Sequence, residues 1–243
     1  AAANATLHVD GPDGWSVSQP AAVSLDAGEA RTITVPVSTP ADGFGTGTVS
    51  VSASGDFATA TATAPASLSR PVVMVGEIDG STAEFALSPG NFAGYATTFP
   101  KDVDFTAGKD DPATGWSYIQ PGPIDGWGGS KAHTFTLRFD LADKPTSDLT
   151  YTVWALDTQG GGPPAVDVAL NGGTAKEIQM PSGGADGYHW GDGKPNVAAG
   201  IVPSTTNVTL PAAQLKAGEN VVTITTVSGS WLVYDAVGVR QLP

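Results

Sequence analysis

Cysteine is absent from the 243 residues, which excludes thiol nucleophiles, disulfide bridges and cysteinyl zinc sites. Cations are scarce. Eleven Lys and Arg stand against 24 Asp and Glu, for a formal net charge of -13. No basic stripe relieves that field, which excludes nucleic acid and anionic membrane as partners. It leaves open neutral polymers, acidic ones met at a local basic pocket, and the plain role of keeping the chain in solution. No run of about 18 apolar residues occurs that would span a bilayer, and no signal peptide is visible. The start at Ala1, without Met, reads as a processed chain or an excised fragment. Asn4-Ala5-Thr6 and Asn207-Val208-Thr209 match the glycosylation acceptor pattern, which needs a suitable host to matter.

What remains is rich in Thr, Val, Ser and Ala between 31 Gly and 19 Pro, a composition of short strands and turns. Thr6–Val9, Trp15–Val17, Val23–Leu25, Thr46–Ala53 and Phe57–Thr63 alternate. Arg31–Val37 places Ile33, Val35 and Val37 on one face, although Pro36 marks an edge or a bulge. Six or seven strands in about 65 residues predict a small immunoglobulin-like β-sandwich over residues 1–68. A small, polar linker ends near Arg70-Pro71. Residues 69–243 read as a second all-β domain, with strands at His133–Asp140, Leu149–Leu156, Val166–Leu170, Asn207–Leu210, Val221–Val227 and Trp231–Val239. Asn171-Gly172-Gly173 is a tight-turn signal. The length suits an antiparallel jelly roll of eight to ten strands. No long amphipathic helix is present.

Two resemblances attach to these segments. Ala5–Val9, Pro12, Gly14-Trp15, Val23–Leu25, Ala27-Gly28 and Thr32–Val35 resemble the immunoglobulin-like alpha-galactosidase-associated spacer found beside bacterial glycoside hydrolase domains. That likeness covers roughly residues 4–64 and implies structural spacing. In the second segment, Val75–Ser81, Phe135–Leu141, Val166–Gly172, Leu215–Val221 and Trp231–Val237 occur in order. Together they resemble the carbohydrate-binding-like third domain of rhamnogalacturonan lyases, over about residues 72–241. The lyase catalytic domain and its usual second domain are not recognisable. The resemblance therefore implies a jelly roll within a secreted carbohydrate-active enzyme, with plant cell-wall or related polysaccharide and a catalytic domain upstream of Ala1 as the expected partners.

Sugar sites use aromatic faces against C–H groups, with polar side chains fixing the hydroxyls. Trp15, Trp154 and Trp231 sit on or beside strands and are expected in core packing. Trp116, Tyr118, Trp127, Tyr188, His189 and Trp190 lie among Gly, Pro and Asp, and are expected either to form a carbohydrate-binding platform or to plug the sandwich end. Glu77, Asp79 and Asp235 fall where the first and last strands of the jelly roll meet. They are candidates for a structural calcium ion or for hydrogen bonding at strand ends. A catalytic role is expected of no residue. The competing readings are a scaffold packed on the parent enzyme and a small lyase or glycosidase centred on His189, between Asp186 and Asp192 with Lys194 nearby. No G-x-S-x-G elbow exists.

Overall fold

Alternating β-branched and small polar residues give strands wherever Gly, Pro or Asp does not interrupt them. The computed structural model describes residues 3–40, 43–184, 190–191, 194–195 and 201–243. The chain divides into two units, Ala1–Arg70 with Leu242–Pro243, and Pro71–Gln241.

The first unit holds β1 (Ala3–Asp10), β2 (Ser16–Val17), β3 (Val23–Leu25), β4 (Val37–Ser38), β5 (Gly45–Gly55) and β6 (Ala60–Leu68). An antiparallel sheet runs β3-β1-β5-β6, and β2 pairs with β4. This is a small immunoglobulin-like sandwich. Two expectations change. The strand expected over Arg31–Val37 shrinks to Val37–Ser38, because Pro36 has no N–H to give a ladder. The stretch expected to end as a linker is strand through Leu68, and Pro65 is tolerated because β6 is an edge. Val9 is the one buried hydrophobic side chain among this unit's described residues. Leu7, Ile33, Val35, Val37 and Val51 line an open groove of about 400 Å³.

The second unit contains β7 (Arg70–Gly76), α1 (Tyr95–Thr98), β8 (Asp104–Thr106), α2 (Pro112–Gly115), β9 (Ile119–Gln120), β10 (His133–Leu141), β11 (Leu149–Thr158) and β12 (Ala165–Leu170). β13 (Lys176–Gln179), β14 (Trp190–Gly191), β15 (Lys194–Pro195), β16 (Ser204–Leu210), β17 (Gly218–Ser228) and β18 (Leu232–Gln241) complete it. Two five-stranded sheets run β13-β12-β17-β10-β8 and β16-β11-β18-β7, the fifth strand of the latter being β9, which pairs with the start of β18. Among the described residues the isolated Ala86–Ser117 bridge is parallel, and the strand-to-strand pairings with a given register are antiparallel but for one. The exception is β8, which runs parallel to β10.

Strand alternation builds the core between the sheets. Phe135, Leu137 and Phe139 of β10 face Val222 and Ile224 of β17, and Tyr151 and Val153 of β11 face Tyr234, Val237 and Val239 of β18. Burying each such side chain contributes about 1.5–3 kcal/mol. Gln120 fastens the layers from inside. Its Nε2 donates to the carbonyls of His133 at 2.8 Å and Ile224 at 3.0 Å, and its Oε1 accepts from Tyr234 Oη. Among the described residues no helix is long and apolar enough to cross a membrane.

Candidate functional site

The chain passes from β17 to β18, and β9 meets the start of β18, at one end of the second unit. Loop residues 121–132, 159–164, 180–184 and 229–231 gather there and are laced together by hydrogen bonds. Ile124 N donates to Gly229 O, Ser230 N to Gly162 O, and Ser182 Oγ to Gly160 O. Gly122 lies so close to the crossing chain that a Cβ there would meet the carbonyl oxygens of Gly229 and Ser230 at 2.3 and 2.4 Å.

Trp127 stands on this rim. It is half-buried, with its ring edge-on to Phe92 at 5.3 Å between centroids and to Tyr95 at 6.3 Å. Phe92 is 39% exposed and Ile124, in the same loop as Trp127, is 68% exposed. The Phe92–Trp127 pair leaves apolar surface in water at a sheet end, as a ligand surface requires.

The loop that carries Trp127 is held from within. Asp125 is buried and accepts from Gly122 N at 2.7 Å and from Ser230 Oγ at 2.6 Å. Burial pushes its carboxyl above the usual range, against the opposing pull of those hydrogen bonds and the nearby His133. His133 is fully buried with Nε2 2.8 Å from Gly128 O and Nδ1 2.6 Å from Asp102 Oδ1. Asp102 also accepts from Thr134 N and Tyr95 Oη. Burial raises the Asp102 carboxyl, but the bonds from His133 and Thr134 outweigh it and hold the carboxyl below its ordinary value.

The structure separates the expected platform residues. Trp116 and Tyr118 are fully buried. Trp116 packs edge-on to Phe105, Phe135 and Tyr234 at 5.4–5.8 Å. Tyr118 N donates to Ala86 O, and Tyr118 O accepts from Tyr234 N. Both rings are core, with no face open to a ligand, because residues 116–120 run as an extended segment laid against β18 rather than as a free loop. Trp127 alone of the three lies on the rim. Tyr188 and His189, like Asp186 and Asp192, lie outside the described residues, and Trp190 and Lys194 are described only as backbone in the β14–β15 ladder. Phe92 and Ile124 are rim residues that the sequence reading missed.

The carboxylates considered for calcium do not converge. Asp235 is buried at the β18 bulge and accepts from Gly80 N at 3.0 Å, with Ser81 and Asp79 N–H groups also facing it. Burial raises its carboxyl, and these bonds only partly offset that. Glu77 and Asp79 are exposed, and among the described residues no three His, Asp or Glu form a group that could hold a metal ion. Calcium needs six to eight oxygen ligands.

Trp154, expected in the core, belongs to the opposite face of its sheet. Thr150, Thr152 and Trp154 alternate with the inward Tyr151 and Val153. Trp154 is half-buried under Arg240, whose guanidinium carbon is 4.9 Å from the ring centroid.

A family model for "CBM-like: Polysaccharide lyase family 4, domain III" matches residues 72–239. Among solved structures, the chain is similar to a family 35 carbohydrate binding module from an environmental isolate, at 16% identity and a TM-score of 0.31, covering 45% of this chain and 64% of that one. It is also similar to the Podospora anserina GH26-CBM35 beta-(1,4)-mannanase, at 18% identity and a TM-score of 0.30, covering 45% of this chain and 19% of that one. A GH115 4-O-methyl-alpha-glucuronidase with specificity for decorated arabinogalactans matches at 17% and 0.30, covering 48% and 15%. The chain thus spans less than two thirds of the length of each of these three. No curated protein matches it.

Proposed function

The chain belongs to the CBM-like family formed by domain III of polysaccharide lyase family 4, and from that premise we propose that it is a non-catalytic accessory segment of a secreted enzyme acting on plant polysaccharide. Its jelly roll takes glycan at the loop rim around Trp127, Phe92 and Ile124. The observation that carries this reading is exposed Phe92 packed edge-on to half-buried Trp127, whose loop is pinned by buried Asp125 and His133. A ring held in place before the sugar arrives loses little freedom on binding. Attachment to a catalytic domain then raises that domain's effective concentration at insoluble substrate. Calorimetry of the chain against pectic, gum and xylan panels tests this, with Trp127→Ala as the control. Binding that Trp127→Ala abolishes supports the rim, and absence of binding to every glycan overturns it.

One observation favours a second role for the first unit, that of a spacer packed on its parent enzyme. Its sandwich leaves Leu7, Ile33, Val35, Val37 and Val51 along an open groove, and a unit this small has little core with which to stand alone. Removing the segment from the parent enzyme discriminates the roles. Lost stability and activity on soluble substrate indicate a scaffold, and loss on insoluble substrate alone indicates binding.

A further inference from the structure

The first unit holds a cavity that its own strand pairing creates. β1 accompanies β5 only as far as the Asp10–Ser50 pair, beyond which the chain enters the turn at Pro12–Trp15. From Val49 back to Gly45, β5 is paired on its other side alone, to β6. Gly45 and Gly47 share a face of β5 with Val49 and Val51, so that face ends without side chains. A Cβ on Gly45 would meet nothing within 4 Å, whereas one on Gly47 would meet Pro12 Cγ at 2.4 Å. The turn therefore leans on one glycine and leaves open space over the other. That space is about 390 Å³, lined by Pro12, Asp13 and Trp15 of the turn and by Pro40, Phe44 and Leu68. Trp15, expected in core packing, is half-buried.

We propose that this cavity is a second glycan site, and that it takes a neutral sugar residue, with Trp15 meeting its C–H groups and Asp13 accepting from its hydroxyls. Three features define that occupant. Neither the Asp13 carboxylate nor the Trp15 indole N–H has a hydrogen-bond partner among the described residues, which leaves one acceptor and one donor beside an apolar wall. Among those residues no ring or cation lies over Trp15, whereas Arg70 already stands 5.1 Å over the Phe44 ring. Trp15 is therefore the aromatic contact, and Phe44 serves only as a wall. No Lys or Arg lines the cavity, and the chain carries a net charge of -13, so an acidic sugar is repelled. The volume falls at the low end of the range for small-molecule sites, which suits a sugar residue and not a length of peptide. This inference rests on the reading that the segment handles glycan, and it does not depend on the rim.

The test uses the full chain and NMR of the Trp indole N–H signals. The probes are galactotriose, arabinotriose and xylotriose as neutral sugars, a galacturonate trimer as the acid, and glucosamine as the amine. At least one neutral trimer is expected to shift the Trp15 signal saturably, with an affinity that salt does not change. Asp13→Ala, at an exposed turn position, should leave the fold untouched and weaken that binding about fivefold or more. Trp127→Ala should leave the Trp15 shift intact. A silent Trp15 signal beside a shifted Trp127 signal overturns this inference alone, and silence of both overturns the glycan reading with it. The proposal also falls if the Trp15 shift is lost in Trp127→Ala or unaltered in Asp13→Ala. It falls equally if the galacturonate trimer or glucosamine shifts the Trp15 signal and no neutral trimer does.

Discussion

His133 and Asp102 are joined at 2.6 Å, between Nδ1 and Oδ1, with the imidazole fully buried. The other ring nitrogen faces Gly128 O at 2.8 Å, so one side chain ties the helical connection before β8 to the loop that carries Trp127. Both ring nitrogens face oxygens, Asp102 Oδ1 and Gly128 O. Replacing His133 with Leu leaves the Asp102 carboxylate without its strongest partner and the Gly128 carbonyl without a donor. The expected cost is about 2–4 kcal/mol, read as a lower Tm. Amide exchange at Gly128 and Gly129 should quicken at the same time.

Trp116 and Trp127 should separate stability from binding. Trp116→Ala empties a site between Phe105, Phe135 and Tyr234 and is expected to cost about 3–5 kcal/mol in chemical denaturation. Trp127→Ala removes a half-exposed ring, is expected to cost under about 1.5 kcal/mol, and should reduce glycan affinity about tenfold or more.

That contrast marks where the sequence is legible. The all-β class follows from β-branched alternation, and the inward residues of β10 follow from period two, whereas in β18 the bulge at Asp235 shifts the parity between Tyr234 and Val237. Trp116 and Tyr118 looked like loop residues because Gly115, Pro121 and Gly122 flank them. Yet they are two residues apart and share a face with the buried Gln120, which is the same strand signal in a short segment. Trp154 carries the reverse lesson. Its company on alternate positions is Thr150 and Thr152, while Tyr151 and Val153 take the other parity, so the pattern assigns it to the outer face. Phe92 and Ile124 have no periodic neighbours, and their exposure depends on how loops meet at the sheet end, which no local pattern encodes.

Gly122 is expected to reject any side chain. Its would-be Cβ meets backbone oxygens of Gly229 and Ser230, and neither can retreat without disturbing Asp125 and Ser230. Gly122→Ala should lower the Tm and weaken glycan binding together, because the shift reaches the Trp127 loop. A Tm unchanged from wild type would show that the crossing is looser than it stands here.

Stability should rise on moderate acidification. Asp125, Asp157 and Asp235 all have carboxyl pKa values raised by burial. Such a group binds its proton more readily in the fold, so its contribution is fully present below the unfolded value of about 4 and is lost as pH rises through the raised one. Asp102 is held low and acts oppositely, with its contribution present above about pH 4 and lost as pH falls through its depressed value. Thermal melts should therefore show a higher Tm near pH 5 than at pH 8, and a decline below about pH 4. Asp157→Asn should flatten the first limb.

The central claim is that the jelly roll binds glycan through its rim. Isothermal titration of the wild-type chain and Trp127→Ala against a panel of soluble pectic, gum and xylan oligosaccharides tests it most directly, with melts run alongside. The account predicts saturable binding to at least one glycan, lost in Trp127→Ala while the Tm stays near wild type. Binding that is equal in both proteins, or absent from the entire panel, would contradict it.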